Sequence, residues 1–235
     1  MLILDKRLGA VINEIDGDVL ADIGCDHGKI AIAALQQGKC KRAIASDISE
    51  KSLQKAKALA EKCKIDNIEF LVSDGFAGYE NIAVNVAVIA GMGGKEIVNI
   101  LANEPKGIAK LILVANTDVI LLRTFLLEKG KYIDKDYTIQ VGRYFYNLLV
   151  VVANSNENSN ANANGNSQNI DKKILKKELL LGKNTFDNQS YINYLFVQQK
   201  KYKRILASKA DESLKQQSKE NLEIVDSELS QCVII

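Results

Sequence analysis

The 235-residue sequence predicts an α/β fold: a mostly parallel seven-stranded sheet wound between helices, followed by a separate helical region. Three observations predict it. Short, continuously apolar runs alternate with helix-like segments from residue 19 to residue 153, the pattern of strands covered on both faces by crossover helices. The last two runs are separated by a short turn, so they pair as an antiparallel hairpin at one edge of the sheet. Residues 190–233 contain neither Gly nor Pro and carry apolar residues at helical spacing.

Taken in order, the first strand is VLADIG at 19–24, and Gly24 and Gly28 then bracket a turn into a helix over 28–38. RAIASDI at 42–48 leads to a helix at 50–63, and IEFLVSD at 68–74 ends on an acid followed by Gly75. VNVAVIAG at 84–91 runs into more glycines and a helix at 94–103. KLILVAN at 110–116 precedes a helix at 118–130, and YTIQVGR and YFYNLLVVVA supply the hairpin. This first region is expected to span 1–153.

Residues 154–169, NSNENSNANANGNSQN, are almost all Asn, Ser, Ala and Gly. Such a stretch buries too little apolar surface to fold, so it reads as a flexible linker or loop. Residues 170–235 form the second region. Leu222, Val225, Leu229 and Cys232 step by 3, 4 and 3, and Tyr191, Leu195, Tyr202, Ile205, Leu206 and Leu214 continue a looser stripe. Two long helices or a helical hairpin with a coiled-coil-like seam follow from that spacing. The seam leaves a monomer or a weak homodimer open.

Composition narrows the class. Hydrophobic residues make up 47% and charged residues 26%, ordinary values for a soluble globular chain. The net charge of +2 neither demands nor excludes nucleic acid. Residues 171–235, however, hold 12 Lys and Arg against 9 Asp and Glu, concentrated in KKILKK and QKKYKR. A basic cluster with interleaved tyrosines is either a solvated helical face or an RNA-backbone contact. Lys200, Lys201, Lys203 and Arg204, with Lys6 and Arg7 near the start of the chain, are the candidate RNA contacts. No apolar run approaches the ~18 residues that span a membrane. Cys25, Cys40, Cys63 and Cys232 follow no zinc spacing and the chain has one His, so no metal site is expected. The first residues lack the pattern of a signal peptide, and a cytoplasmic protein with reduced thiols is the expectation.

The turn after the first strand raises the chemical question. At the C-terminal edge of a parallel sheet this turn is where a nucleotide-like ligand sits. A dinucleotide fingerprint would read GxGxxG, so that bare backbone can approach a pyrophosphate. Here Gly24 and Gly28 are four apart, and Asp22 and Asp26 bring carboxylates that repel phosphate. Carboxylates attract an ammonium and accept from hydroxyls. S-adenosylmethionine has no phosphate, carries a sulfonium and ends in an ammonium-bearing amino acid. Asp22 and Asp26 then face the ammonium, Asp47 at the end of the second strand accepts from the ribose hydroxyls, and Asp74 accepts from the adenine amino group beside Gly75. AGMGG, residues 90–94, supplies a floor where a methyl acceptor approaches, with Met92 packing on a ring. An NAD-linked oxidoreductase is the alternative that the missing third glycine argues against. A strand-end Asp also serves as a helix cap; four such features at successive strand ends point to a ligand.

DIGCDHGKIAI followed by ASDIS, SDGF and AGMGG, with LDKRLGAVINEI before and VGRYFYNLLVVVA after, resembles the bacterial tRNA methyltransferases that act at N1 of adenine 22. The resemblance implies a Rossmann-like class I methyltransferase domain with a C-terminal coiled-coil domain. It implies S-adenosylmethionine as cofactor, tRNA as partner and N1-methyladenosine as product. By the same resemblance the cofactor residues include Gly24, Asp26, His27, Asp47, Ile48, Asp74, Gly75, Gly91 and Met92. The family's Gln-Pro-Asn after the fifth strand stands here as Val114-Ala115-Asn116. Asn116 and Asp26 are the candidates to hold the target adenine edge or take its proton. The single proline, Pro105, rules out the Asn/Asp-Pro-Pro-aromatic motif of exocyclic-amine methylation. Attack by a ring nitrogen needs no such motif, because its in-plane lone pair reaches the methyl directly and positioning does most of the work. A catalytically inactive RNA-binding relative, or a methyltransferase with another acceptor, remains the alternative reading.

Overall fold

The computed structural model describes residues 2–153, 167–183 and 188–232. Most of the 154–169 stretch expected as a linker lies outside the described residues, and its last three positions, from Ser167, already belong to a helix. Two compact units separate: one within Met1–Asp136 and Tyr146–Ser159, the other within Tyr137–Phe145 and Asn160–Ile235.

The first unit is built on a sheet of order β3-β2-β1-β4-β5-β7-β6. Its strands are β1 (Val19–Ile23), β2 (Arg42–Asp47), β3 (Ile68–Val72), β4 (Val86–Met92), β5 (Lys110–Ala115), β6 (Tyr132–Val141) and β7 (Tyr144–Val152). The first five pair in parallel, and β7 pairs antiparallel with β5. The order reverses between β1 and β4, so the turns after these two strands meet at the switch point where α/β sheets bind ligands. Crossover helices α2 (Lys29–Gln36), α3 (Glu50–Cys63), α4 (Gly94–Leu101) and α5 (Val119–Glu128) follow β1, β2, β4 and β5. Ala21, Ile23, Ala87, Ile89, Leu111, Leu113 and Leu149 are buried in one core with Ile97, Leu122 and Leu126. Continuous apolar strands were legible for that reason: both faces are covered.

An additional helix, α1 (Lys6–Glu14), precedes the first strand and was not anticipated. Its signals are ordinary. The Asp5 carboxylate accepts from the Leu8 amide at 2.8 Å as an N-cap, and Val11, Ile12 and Ile15 are buried behind it. Arg123 and Asp136 form a fully buried bidentate pair, with N–O distances of 2.7 and 2.9 Å.

The second unit contains α6 (Ser167–Leu181), α7 (Asn188–Leu206) and α8 (Glu212–Cys232), together with the tip of the β6–β7 hairpin. Two long helices were expected, and α6 is the addition. The expected seam is consumed inside this unit. Val225 is fully buried and Leu229 nearly so, packed with Leu195, Tyr191, Tyr194 and Tyr202 of α7. Ion pairs and hydrogen bonds border the packing: Lys177 reaches Glu228 at 2.7 Å, and the Tyr191 hydroxyl donates to the same carboxylate at 3.0 Å. The hairpin tip joins through Gln140, whose side-chain carbonyl accepts from Asn193 at 2.7 Å, and through Phe145 against Tyr194.

A candidate cofactor cleft at the sheet's switch point

The turn after β1 is shaped by backbone conformation and by its neighbour strand. Gly24, Asp26 and Gly28 all adopt left-handed φ angles of 69°, 49° and 65°. Asp is among the few side-chain-bearing residues that tolerate this region. The Cys25 amide donates to the Ser46 carbonyl at 2.9 Å, continuing the β1–β2 ladder into the turn, and the Gly28 amide closes it on the Cys25 carbonyl at 2.8 Å. Cys25 is buried and its thiol is pushed well up from the ordinary value by desolvation, so it packs rather than reacts.

Asp47 ties this turn to the next. One carboxylate oxygen accepts from the Asp26 amide at 3.0 Å and the other from the Ser49 amide at 2.8 Å. Each oxygen keeps a further lone pair, so the same carboxylate can still accept from a ligand's hydroxyls. Asp22 sits deeper, 2% exposed, with one oxygen accepting from the Ala31 amide at 3.2 Å. Burial raises its pKa to about 7, the Ala31 hydrogen bond pulls it back, and the negative field of Asp47 adds to the rise. His27 Nδ1 lies 3.5 Å from an Asp26 carboxylate oxygen.

The fourth strand supplies the other wall. The β4–β5 register shifts between Ala90 and Met92, and Gly91 there has φ 88°. A bulge of this kind re-aims the side chain that follows. Met92 is turned over the first turn: a Cβ on Gly24 would lie 2.0 Å from the Met92 methyl. Backbone bonds from Asn116 to the Met92 carbonyl at 2.9 Å and from Gly94 to the Thr117 carbonyl at 2.8 Å hold the glycine loop.

Two cavities open here, and they share Gly24 and Met92. The first, about 460 Å³, is lined by Asp22, Asp26, His27 and Gly91 from the expected set, with Arg7 and Lys29. The second, about 490 Å³, is lined by Asp47, Ile48, Asp74 and Gly75, with Ser73, Phe76 and the α4 side. All ten residues expected at a cofactor therefore face one cavity or the other. Each volume is within the range of small-molecule sites. Another cavity of about 490 Å³, around Pro105 and Phe125, contains none of them.

Other expectations are placed differently. Asn116 is exposed and lines neither cavity; only its amide is tied to Met92. Lys6 is exposed on α1 outside both, whereas Arg7, expected at RNA, lines the first cavity. Lys200, Lys201, Lys203 and Arg204 are all exposed on α7 in the second unit. Sequence reasoning missed Glu96, Asn99, Ile100 and Asn103, which line the second cavity from α4 and the residues after it. Their spacing of three, one and three is a one-face helical signal that was available.

The carboxylates fit a cationic, phosphate-free nucleoside: Asp47 and Asp74 line one cavity, Asp22 and Asp26 the other. Among the described residues no cluster of His, Cys, Asp and Glu could hold a metal ion, and no helix is long and apolar enough to cross a membrane.

Comparison with known proteins bears on this site. The profile of a family described as a methyltransferase domain matches residues 4–149. The curated tRNA (adenine(22)-N(1))-methyltransferase of Bacillus subtilis is 32% identical over 155 residues, 64% of this chain and 65% of that protein, just under two thirds of its length. The crystal structure of the B. subtilis M1A22 tRNA methyltransferase TrmK superposes with a TM-score of 0.75 at 26% identity, covering 97% of this chain and 100% of that one. The structure of M. capricolum TrmK in complex with S-adenosyl-homocysteine superposes with a TM-score of 0.81 at 23% identity, covering 97% and 99%, a likeness of fold.

Proposed function

The chain belongs to the methyltransferase-domain family, and from that premise we propose that it methylates N1 of adenine 22 in the D-arm of tRNA, using S-adenosylmethionine. The observation that carries the reading is the pair of carboxylate-lined cavities meeting at Gly24 and Met92. The B. subtilis relative named for this activity supports the choice of acceptor.

When bound, the cofactor supplies an electrophilic methyl group on a sulfonium. The chain's own residues bind, orient and exclude water. In this reading Asp47 accepts from the ribose hydroxyls while its existing amide bonds hold it in place. Ile48, 71% exposed, and Phe76 flank the cavity where an adenine lies, and Asp74 accepts from its amino group. Asp22 and Asp26 face the ammonium. Gly24 and Met92 mark the passage between the two halves, which is where the methyl is presented.

N1 of the target adenine attacks with its in-plane lone pair, so no base need activate it. The chain's task at the acceptor is to hold an unpaired, extruded base in line. Asp26, 71% exposed at the cavity mouth, is the candidate to meet the adenine edge, with Asn116 outside both cavities. The exposed cations of α7 would meet phosphates of the tRNA body. A tRNA substrate puts the reaction in the cytoplasm. One chain carries both cavities, so a monomer or weak homodimer is sufficient.

The test is to incubate the full chain with unmodified tRNA and labelled S-adenosylmethionine, digest the RNA and identify nucleosides by mass spectrometry. N1-methyladenosine at position 22 is expected. Label on another nucleoside would replace the acceptor. Tight cofactor binding with no transfer would make the chain an inactive relative.

A further inference from the structure

The cavity at the first turn poses a charge problem that its carboxylates do not solve. An α-amino acid group is a zwitterion, and Asp5, Asp22 and Asp26 all line this cavity. They suit the ammonium and repel the carboxylate. A fixed cation on the same wall is required. Among the cavity's lining residues the permanent cations are Arg7 and Lys29.

They differ in how they are held. Lys29 is exposed at the first position of α2, a flexible stem with a strongly hydrated head. Arg7 sits in the first turn of α1, which Asp5 caps through the Leu8 amide. Its guanidinium lies over the Tyr146 ring, 4.8 Å from the centroid, and its side chain is 25% exposed. A guanidinium held over a ring face has less freedom than a solvated stem, and its N–H groups do not donate to the ring carbons' edge, so they remain available to a carboxylate. The Asp5 carboxylate lies 3.9 Å from it, beyond hydrogen-bond distance. The donors of a pre-oriented guanidinium thus line the cavity that takes the amino-acid half.

Resting on the cofactor reading above, we propose that Arg7 is the positioning residue for the cofactor's carboxylate, and not an RNA contact. Its planar fork binds the two oxygens side by side while Asp22 and Asp26 take the ammonium. α1 would then belong to the cofactor site, and the chain would discriminate the full amino-acid head from its decarboxylated analogue.

The experiment measures equilibrium binding of S-adenosylmethionine and of decarboxylated S-adenosylmethionine to the full chain, its Arg7→Gln variant and its Arg7→Lys variant. Wild type should prefer the carboxylated ligand by about ten- to a hundredfold, the scale of a charge-assisted bidentate pair. Arg7→Gln should lose that factor for S-adenosylmethionine and keep wild-type affinity for the decarboxylated ligand, which also shows that the variant is folded. Arg7→Lys should recover part of the preference. Equal weakening of both ligands would reduce Arg7 to a structural role and overturn the proposal. Unchanged cofactor affinity with weakened tRNA binding would return Arg7 to RNA and overturn it as well. Failure of the wild type to bind either ligand would bring down the cofactor reading itself, a distinct outcome.

Discussion

The two units of this chain bury side chains under different constraints. In the helical unit the requirement is an apolar residue every three or four positions: Val225 and Leu229 meet Leu195, Tyr191 and Tyr202, while Ser227 between them is exposed and Glu228 pairs with Lys177 and Tyr191 at the border of the packing. In the sheet unit the switch point constrains backbone as well as side chains. Gly24 and Asp26 hold left-handed φ angles, and the Met92 methyl lies 2.0 Å from where a Gly24 Cβ would be. A spread-out requirement tolerates replacement, and a convergent one does not. The same contrast separates the two ligands. A small cofactor is held by a few convergent groups, whereas a polyanion is held by summed charge.

The largest effect should come from a single methyl group at the convergent site. Gly24→Ala places a Cβ at φ 69° and 2.0 Å from the Met92 methyl. Met92 must swing aside, and both cavities change at their shared wall. S-adenosylmethionine affinity, read by calorimetry, is expected to fall at least about a hundredfold, within the range for loss of a central contact. An effect under about threefold would break the contrast, because the switch point would then be as forgiving as a helix surface.

The spread-out counterpart is smaller per residue. Replacing Lys200, Lys201, Lys203 and Arg204 together by Gln removes four exposed cations from α7. Affinity for tRNA should fall about ten- to a hundredfold at moderate salt, and the slope of log K against log salt should flatten by about three. Each single replacement should account for only a fraction. Cofactor affinity should not change. A loss concentrated in one of the four would show that α7 reads a specific phosphate.

That division also explains what was legible. The strands of the sheet could be read because each is apolar throughout, and the strand-end acids because Asp22, Asp47 and Asp74 recur at successive C-terminal edges. Their convergence on two cavities follows from the topology. The contributions of α1 and α4 were harder. Arg7 and Asn99 are polar residues on amphipathic helices, where a polar side chain ordinarily means solvent; only the packing of each helix decides which ones face a cavity. The seam on α8 was read correctly as a stripe, but periodicity does not say which surface covers it, and the partner is α7 of the same chain. Asn116, chosen for its position after β5, has an exposed side chain outside both cavities, so strand-end position alone did not say which side chains turn into a cavity.

Taken per pH unit, the smallest of the expected effects is a titration, and it isolates one group. Asp22 is buried, with its pKa raised from 3.8 to about 7. The folded protein therefore keeps a proton on Asp22 that the unfolded chain loses near pH 4. Between about pH 4 and 7 the folded state binds more protons, so stability attributable to Asp22 falls as pH rises across that window and levels off above it. Cofactor binding should run the other way. An ammonium needs the ionised carboxylate, so affinity should rise by up to about tenfold per pH unit toward pH 7 and then flatten. Asp22→Asn should remove both slopes together while leaving the fold intact, since an amide oxygen can still accept from Ala31. Paired melting and binding curves across the window measure both. Opposite slopes that vanish together assign the ammonium to Asp22; a binding slope that survives in Asp22→Asn assigns it to another group facing the same cavity.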